Sequence, residues 1–191
     1  MSDYYEKNAS KYIEDTINCD MSEQYEIFLK YIPKKGMILD IGFGSGRDMK
    51  YFSSVGYEVE GIDSSICFVN NLKDVFNVYH KRVEDIDIIN RYEGIWACAS
   101  LLHVKRKDLL DVFRKCFLAL KQNGVMYASF KYGDFEGIID DRHFTYLTEE
   151  TFTNIINHTN FKIDKLWINE DKLNRDVKWL NVVIKKEFNY G

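Results

Sequence analysis

Residues 38–48 read ILDIGFGSGRD. A short apolar run contains one acid, Asp40, and glycines follow at 42, 44 and 46. Glycine loses more conformational freedom on folding than any other residue. Three of them in five positions mark a place where the chain turns tightly or comes close to something. Met37–Ile41 reads as a buried strand. Behind the glycines, Met49, Phe52 and Val55 suit a helix that stops at Gly56.

The same alternation extends outward. Residues 20–32 open with Asp20 and carry Glu23 three places on, a capping-box pattern, and Tyr25, Phe28, Leu29 and Ile32 follow at helical spacing until Pro33 and Gly36. Tyr57–Ile62 alternates and ends at Asp63. Ser64 or Ser65 can cap a helix with Ile66, Val69 and Leu72 on one face. Val78–Val83, Ile95–Ala99 and Val125–Phe130 read as strands, and Leu109–Leu120 as a helix that closes at Gly124. The pattern loosens through 131–147. Thr148 then caps a helix with Phe152, Ile155 and Ile156 inward, and Phe161–Trp167 and Leu180–Phe188 read as strands. The stretch 169–175 between them is polar except for Leu173, an exposed loop.

Strands alternating with helices predict an α/β fold with a mostly parallel sheet covered on both faces. The last two strands are joined only by a loop. A parallel crossover needs about a dozen residues, so that pair is expected to be antiparallel. The expectation is a doubly wound, mostly parallel seven-stranded sheet with an antiparallel C-terminal hairpin. A single domain over 1–191 is expected.

Composition narrows the function. The chain has 191 residues, 46% apolar and 29% charged, with Pro33 as its one proline. Collagen-like and disordered classes are excluded. A net charge of −4 does not suit a sequence-independent duplex binder, so nucleic acid is not the expected partner. Cys19, Cys67, Cys98 and Cys116 form no C-x-x-C pair and have no histidine cluster beside them, so no metal is expected. A polar start and the lack of a run near the roughly 18–20 apolar residues of a membrane span predict a cytoplasmic protein.

The glycines sit at the first strand-to-helix turn, where open α/β sheets bind ligands. A dinucleotide site would need glycine at position 47, which is Arg47, and the phosphate-cradling G-x-x-x-x-G-K-[ST] is also absent. Asp40 disfavours a pyrophosphate and favours a cation. Asp63 closes the second strand 21 residues after Gly42, where an acceptor-only carboxylate can take both hydroxyls of a ribose.

With these features LDIGFGSG (39–46), GID (61–63) and YEGIWA with SLLHV (within 92–104) resemble the class I S-adenosylmethionine-dependent methyltransferases, a Rossmann-like family. The resemblance covers roughly residues 4–188. GSGRD followed by GYEVEGID is similar to the tellurite-resistance and small-molecule branches. It implies S-adenosyl-L-methionine as cofactor. Asp40, Gly42 and Gly44 would line its methionine end and Arg47 would meet its carboxylate. Asp63 would bind ribose, with Ser64 and Ser65 beside the adenine. Glu84 and Asp85 fall at an adenine-edge position, and Ser100, in the loop after strand four, would also contact the cofactor. An N-terminal helical segment within 1–32 would act as a lid, with Tyr12, and to a lesser extent Tyr5, over the cofactor.

The expected activity is in-line methyl transfer to a small-molecule acceptor. Soft anions and neutral amines need no base. A hydroxyl acceptor would, and His103 and His143 are the candidates. Lys131, Tyr132, Arg142, Phe144 and Tyr146 would wall the acceptor site, with Arg175, Trp179 and Asn181 reaching in from the final hairpin. Ala99–Leu102 lack the Asn/Asp-Pro-Pro-Tyr-like tetrapeptide of base methylation. The alternatives are a non-catalytic binder of the same cofactor, a methyltransferase acting on nucleic acid or protein, and a nicotinamide dehydrogenase.

Overall fold

The computed structural model describes residues 2–173 and 175–187. Helices α1 (Ser2–Thr16) and α2 (Ser22–Leu29) precede the alternating units. These are β1 (Met37–Ile41), α3 (Arg47–Ser54), β2 (Glu58–Asp63), α4 (Ile66–Leu72), β3 (Asn77–His80), β4 (Tyr92–Ala97), α5 (Arg106–Ala119) and β5 (Leu120–Lys131). A small hairpin, β6 (Glu136–Ile139) and β7 (Arg142–Thr145), leads to α6 (Glu149–Ile156), β8 (Phe161–Glu170) and β9 (Lys178–Lys186).

The main sheet has seven strands in the order β3-β2-β1-β4-β5-β9-β8. The first five are parallel, and β9 runs antiparallel to both β5 and β8. This is the doubly wound sheet with a C-terminal hairpin that the alternation predicts. Strand order reverses between β1 and β4, so the crevice for a ligand opens beyond their carboxyl ends.

Each face of the sheet buries its own apolar layer. On one side α5 (Leu109, Val112, Phe113, Cys116) and α6 (Phe152, Ile156) cover Ile95, Met126 and Val182. On the other, Tyr25 and Phe28 of α2 and the following Ile32 pack on Ile38, Phe52, Trp96 and Tyr127. Trp96 and Tyr127 stack with ring centroids 4.1 Å apart. Helix α1 lies over α4, where Tyr5, Tyr12 and Ile13 meet Phe43, Phe68 and Leu72.

Several local expectations change. The Asp20–Glu23 capping box does not form: Met21 is the N-cap of α2 without a side-chain cap, and Asp20 instead accepts the Ser22 N–H at 3.0 Å. Thr148 does cap α6, accepting the Thr151 N–H at 3.2 Å while Thr151 Oγ1 accepts the Thr148 N–H at 2.8 Å. Helix α5 ends at Ala119 rather than at Gly124, because Leu120 is already extended and pairs with Tyr92 of β4. The loose stretch 131–147 contains a real hairpin, turned by Asp140 and Asp141 with φ of 48° and 61°. Both are left-handed, as a two-residue hairpin turn requires. Neither is glycine, so the turn carried no glycine signal. The final strand begins at Lys178, and the expected end at Phe188 lies outside the described residues.

Candidate active site

Two cavities meet beyond the carboxyl ends of the strands. One, about 650 Å³, is a cleft lined by Gly42, Gly44, Asp63, Ser64, Glu84 and Ser100 among others. The second, about 480 Å³, lies on the side of β5, β9 and the small hairpin. Tyr5, Tyr12, Ala99 and His103 line both and so form their junction.

The cleft is bare where it turns under β1. Gly42 has φ +67° and a Cβ there would stand 2.6 Å from Ser100 Cβ; Gly44 has φ +51° and a Cβ there would stand 2.9 Å from the Tyr12 ring. Only glycine allows both the left-handed turn and the close approach. Asp40, the next-to-last residue of β1, lies just behind this wall, 2% exposed. Its Oδ2 and the Ser100 Oγ are buried without a hydrogen-bond partner among the described residues. Burial pushes the Asp40 carboxyl well above the usual range, the nearby Asp48 and Asp63 add to that, and Arg47 opposes it. Asp63 ends β2 and its two oxygens accept the N–H groups of Gly44 (3.0 Å) and Ser65 (2.9 Å). Burial raises this carboxyl too, against those two bonds. Each oxygen keeps a lone pair free for a ligand donor. Orphaned acceptors beside a glycine cradle are what a polar, partly cationic ligand would satisfy.

Helix α1 roofs the junction. Tyr5 and Tyr12 meet edge to face at 5.2 Å between centroids, and both rest on Phe68 of α4. One residue on, the Glu6 carboxylate accepts the Ser65 hydroxyl (2.9 Å), the Ile66 N–H (2.8 Å) and the Cys67 thiol (2.7 Å). An acid from α1 thus caps the first turn of α4, where serine was expected to cap. The thiol bond is the largest of the influences that hold Glu6 below the usual carboxylate range.

His103 follows β4 and faces the junction. Its Nδ1–H donates to the His143 carbonyl at 2.8 Å, which leaves Nε2 to accept the Tyr5 hydroxyl at 2.8 Å. Burial lowers the imidazole pKa to about 4, and Arg142 and Lys131 push the same way. His103 is therefore a neutral ring with a fixed tautomer, able to take a proton at Nε2.

The predicted residues fall unevenly. Tyr12, Gly42, Gly44, Asp63, Ser64, Glu84 and Ser100 line the cleft, with Asp40 behind it. Arg47 lines the second cavity instead, and its guanidinium holds Asp48 through Nε at 2.7 Å and an NH2 group at 3.1 Å. Burial works against its charge, and Asp48 outweighs that. Lys131, Arg142, Phe144, Arg175, Trp179 and Asn181 line the second cavity. Tyr132 does not; its hydroxyl donates to Glu149 at 2.8 Å. Tyr146 and the His143 ring are likewise off the wall. The His143 ring lies 3.1 Å from Thr145 Oγ1 and 3.4 Å from Glu136, so its contribution to the site is its carbonyl.

Sequence reasoning missed three acids. Glu6 sits on α1 among tyrosines at helical spacing, where a lone acid carries no signal of its own. Asp48 accepts from Tyr25 and, at 2.8 Å, from Trp96 Nε1, as well as from Arg47; its signal was an acid in the first turn of α3, directly after the glycines. Asp171 organises the stretch read as an exposed loop. It accepts from Arg175 at 2.8 and 2.9 Å and from Trp179 Nε1 at 2.8 Å, and those bonds hold it below the usual carboxylate range.

Residues 38–124 match the family described as "Methyltransferase domain". The chain is 27% identical over 141 residues to phosphoethanolamine N-methyltransferase of Plasmodium falciparum, covering 65% of this chain and 53% of that protein. It is 29% identical over 124 residues to the Bacillus subtilis protein YqeM, a methyltransferase by name, covering 56% of this chain and 50% of that one. The chain thus spans about half the length of these curated relatives. In fold it is similar to Burkholderia thailandensis 1,6-didemethyltoxoflavin-N1-methyltransferase, crystallised with 1,6-didemethyltoxoflavin and S-adenosylhomocysteine. That match has TM-score 0.82 and 16% identity over 98% of this chain and 87% of that one. Residues 38–124 are thus similar to a methyltransferase domain, and the chain as a whole shares the fold of that N1-methyltransferase. Among the described residues no helix is long and apolar enough to cross a membrane, and no group of His, Cys, Asp or Glu is placed to hold a metal.

Proposed function

We propose that the protein transfers a methyl group from S-adenosyl-L-methionine to a small-molecule acceptor. The observation that carries this reading is the meeting of two cavities at Tyr5, Tyr12, Ala99 and His103. One has the glycine cradle and ribose-ready carboxylate of a nucleoside site. The other, about 480 Å³, is of the size that encloses a small molecule. When bound, S-adenosylmethionine supplies an electrophilic methyl on a sulfonium.

The chain's own residues bind, orient and exclude water. Asp63 would hold the ribose hydroxyls, with Ser64 and Glu84 toward the adenine. Asp40 and Ser100 would satisfy their free acceptor atoms on the ligand's amino-acid end, directly or through a water. Tyr5 and Tyr12 would shut water from the junction. Holding the acceptor atom about 3–3.5 Å from its target, in line, supplies several kcal/mol of the barrier. For an acceptor that must lose a proton, His103 Nε2 is the base, once Tyr5 yields that nitrogen.

A mass-spectrometric screen tests this. Small thiols, amines, phenols and metalloid anions are incubated with the protein and S-adenosylmethionine. The expected result is one acceptor class gaining a single methyl with matching S-adenosylhomocysteine, and loss of that product in Asp63→Ala. Methyl incorporation into RNA or protein, with none into small molecules, would overturn the choice of acceptor. Saturable binding of S-adenosylmethionine without any product would favour a non-catalytic binder.

A further inference from the structure

The second cavity is cationic in a chain whose net charge is −4. Its wall carries six cationic side chains against two acids, Asp15 and Asp171. Two of the six are answered: Arg47 by Asp48 at 2.7 Å and Arg175 by Asp171 at 2.8 Å. Lys11 and Lys172 are exposed and solvated. That leaves Lys131, on the last residue of β5, and Arg142, on the first residue of β7. Both are half-buried, and neither has a carboxylate in ion-pair reach among the described residues.

These two cations are brought together on one ring. Lys131 Nζ lies 4.4 Å from the centre of Phe144, and the Arg142 guanidinium carbon lies 5.1 Å from the same centre. Arg142 also stacks over Tyr4 of α1 at 4.0 Å, and its Nε is buried with no acceptor. Ring faces attract cations modestly, but they neither cancel the charge nor accept the remaining N–H donors. Burial lowers the Lys131 pKa, Arg175 and Arg142 add to it, and Asp171 and Asp140 oppose it more weakly. A buried Arg142 Nε without an acceptor, beside a second half-buried cation, is a costly arrangement that an anion between them would relieve. His103 beside them is neutral and cannot take that part.

We propose that the methyl acceptor carries an anionic group, a carboxylate or a phosphate, held between Lys131 and Arg142 on the Phe144 side of the cavity. The planar guanidinium suits two oxygens of either group. Its nucleophilic atom then faces the Tyr5–Tyr12–Ala99–His103 junction. This rests on the reading of the cleft as the cofactor site. It adds that acceptor choice is decided by charge at the far end of the cavity.

The test uses the full chain saturated with S-adenosylhomocysteine, following intrinsic tryptophan fluorescence, to which Trp179 on the cavity wall contributes. Benzoate and inorganic phosphate are the anionic probes, and benzamide is the neutral match for benzoate. Saturable binding is expected for at least one anion, about tenfold or more tighter than benzamide and weakened by salt. Whether benzoate or phosphate binds tighter tells carboxylate from phosphate. Lys131→Gln and Arg142→Gln should each weaken the anion about tenfold or more, with S-adenosylhomocysteine affinity changed less than threefold and melting temperature retained. Equal binding of benzoate and benzamide with no response to phosphate, or glutamine variants that bind the anions like the parent, would overturn the proposal while the cofactor reading stands. A parent protein that fails to bind S-adenosylhomocysteine would overturn both.

Discussion

The Tyr5 hydroxyl and the His103 ring nitrogen Nε2 stand 2.8 Å apart, joining α1 to the turn after β4 across 98 positions of sequence. The contact ties the roof of the site to the one imidazole at the junction. The His143 carbonyl on the opposite nitrogen keeps the ring in the tautomer that can accept from Tyr5.

That ring makes stability depend on pH with a definite sign. Its folded pKa is about 4 against an ordinary 6.5, because burial disfavours the cation. The unfolded chain therefore binds the proton first, and stability contributed by the neutral ring is full above 6.5 and is lost as pH falls toward 4. The most it can amount to is about 3 kcal/mol. Asp40 and Asp63 are raised and act in the opposite direction. The diagnostic is thus the difference between parent and His103→Asn in urea unfolding from pH 7 to 4. The parent should lose more stability over that range than the variant; parallel slopes would contradict the placement of His103.

Gly42→Ala should cost more than an ordinary glycine substitution. The left-handed φ alone costs about 1–2 kcal/mol, and the new Cβ would stand 2.6 Å from Ser100 Cβ. Adding Ser100→Gly removes the clash but not the backbone strain. The double variant should recover part of the lost melting temperature, and a Gly42→Ala protein as stable as its parent would contradict the turn.

Asp48→Asn should destabilise the fold by about 3 kcal/mol, since breaking a buried pair strands the remaining charge. Asp48 holds Arg47, Tyr25 and Trp96 together. A guanidinium denaturation midpoint reads the loss directly. A change below about 0.5 kcal/mol, the range of ordinary surface positions, would show that the network contributes little.

The sheet and the cleft were legible in the sequence because both rest on local signals. Apolar runs of strand length alternate with helical stripes, and the glycines and Asp63 stand at fixed places on strand ends. The hairpin at 136–145 was not legible, because its turn is made by Asp140 and Asp141 and its strands lack a clean alternation. The pairing of Arg47 with Asp48 was not decidable either, since a guanidinium at that position reaches a ligand or a neighbour equally well. His143 resembled a base by residue type, but the hairpin turns its ring to Thr145 and Glu136 and offers its carbonyl instead. Division of the crevice into two cavities depends on α1 folding back onto α4, a contact no spacing encodes.

The most direct test of the central claim is a crystal structure of the protein with S-adenosylhomocysteine. The account predicts the ribose hydroxyls on Asp63, the adenine toward Ser64 and Glu84, and the sulfur at the junction of Tyr5, Tyr12, Ala99 and His103. Density for the nucleoside in the cavity of Lys131 and Arg142, or a ribose that leaves Asp63 untouched, would contradict it.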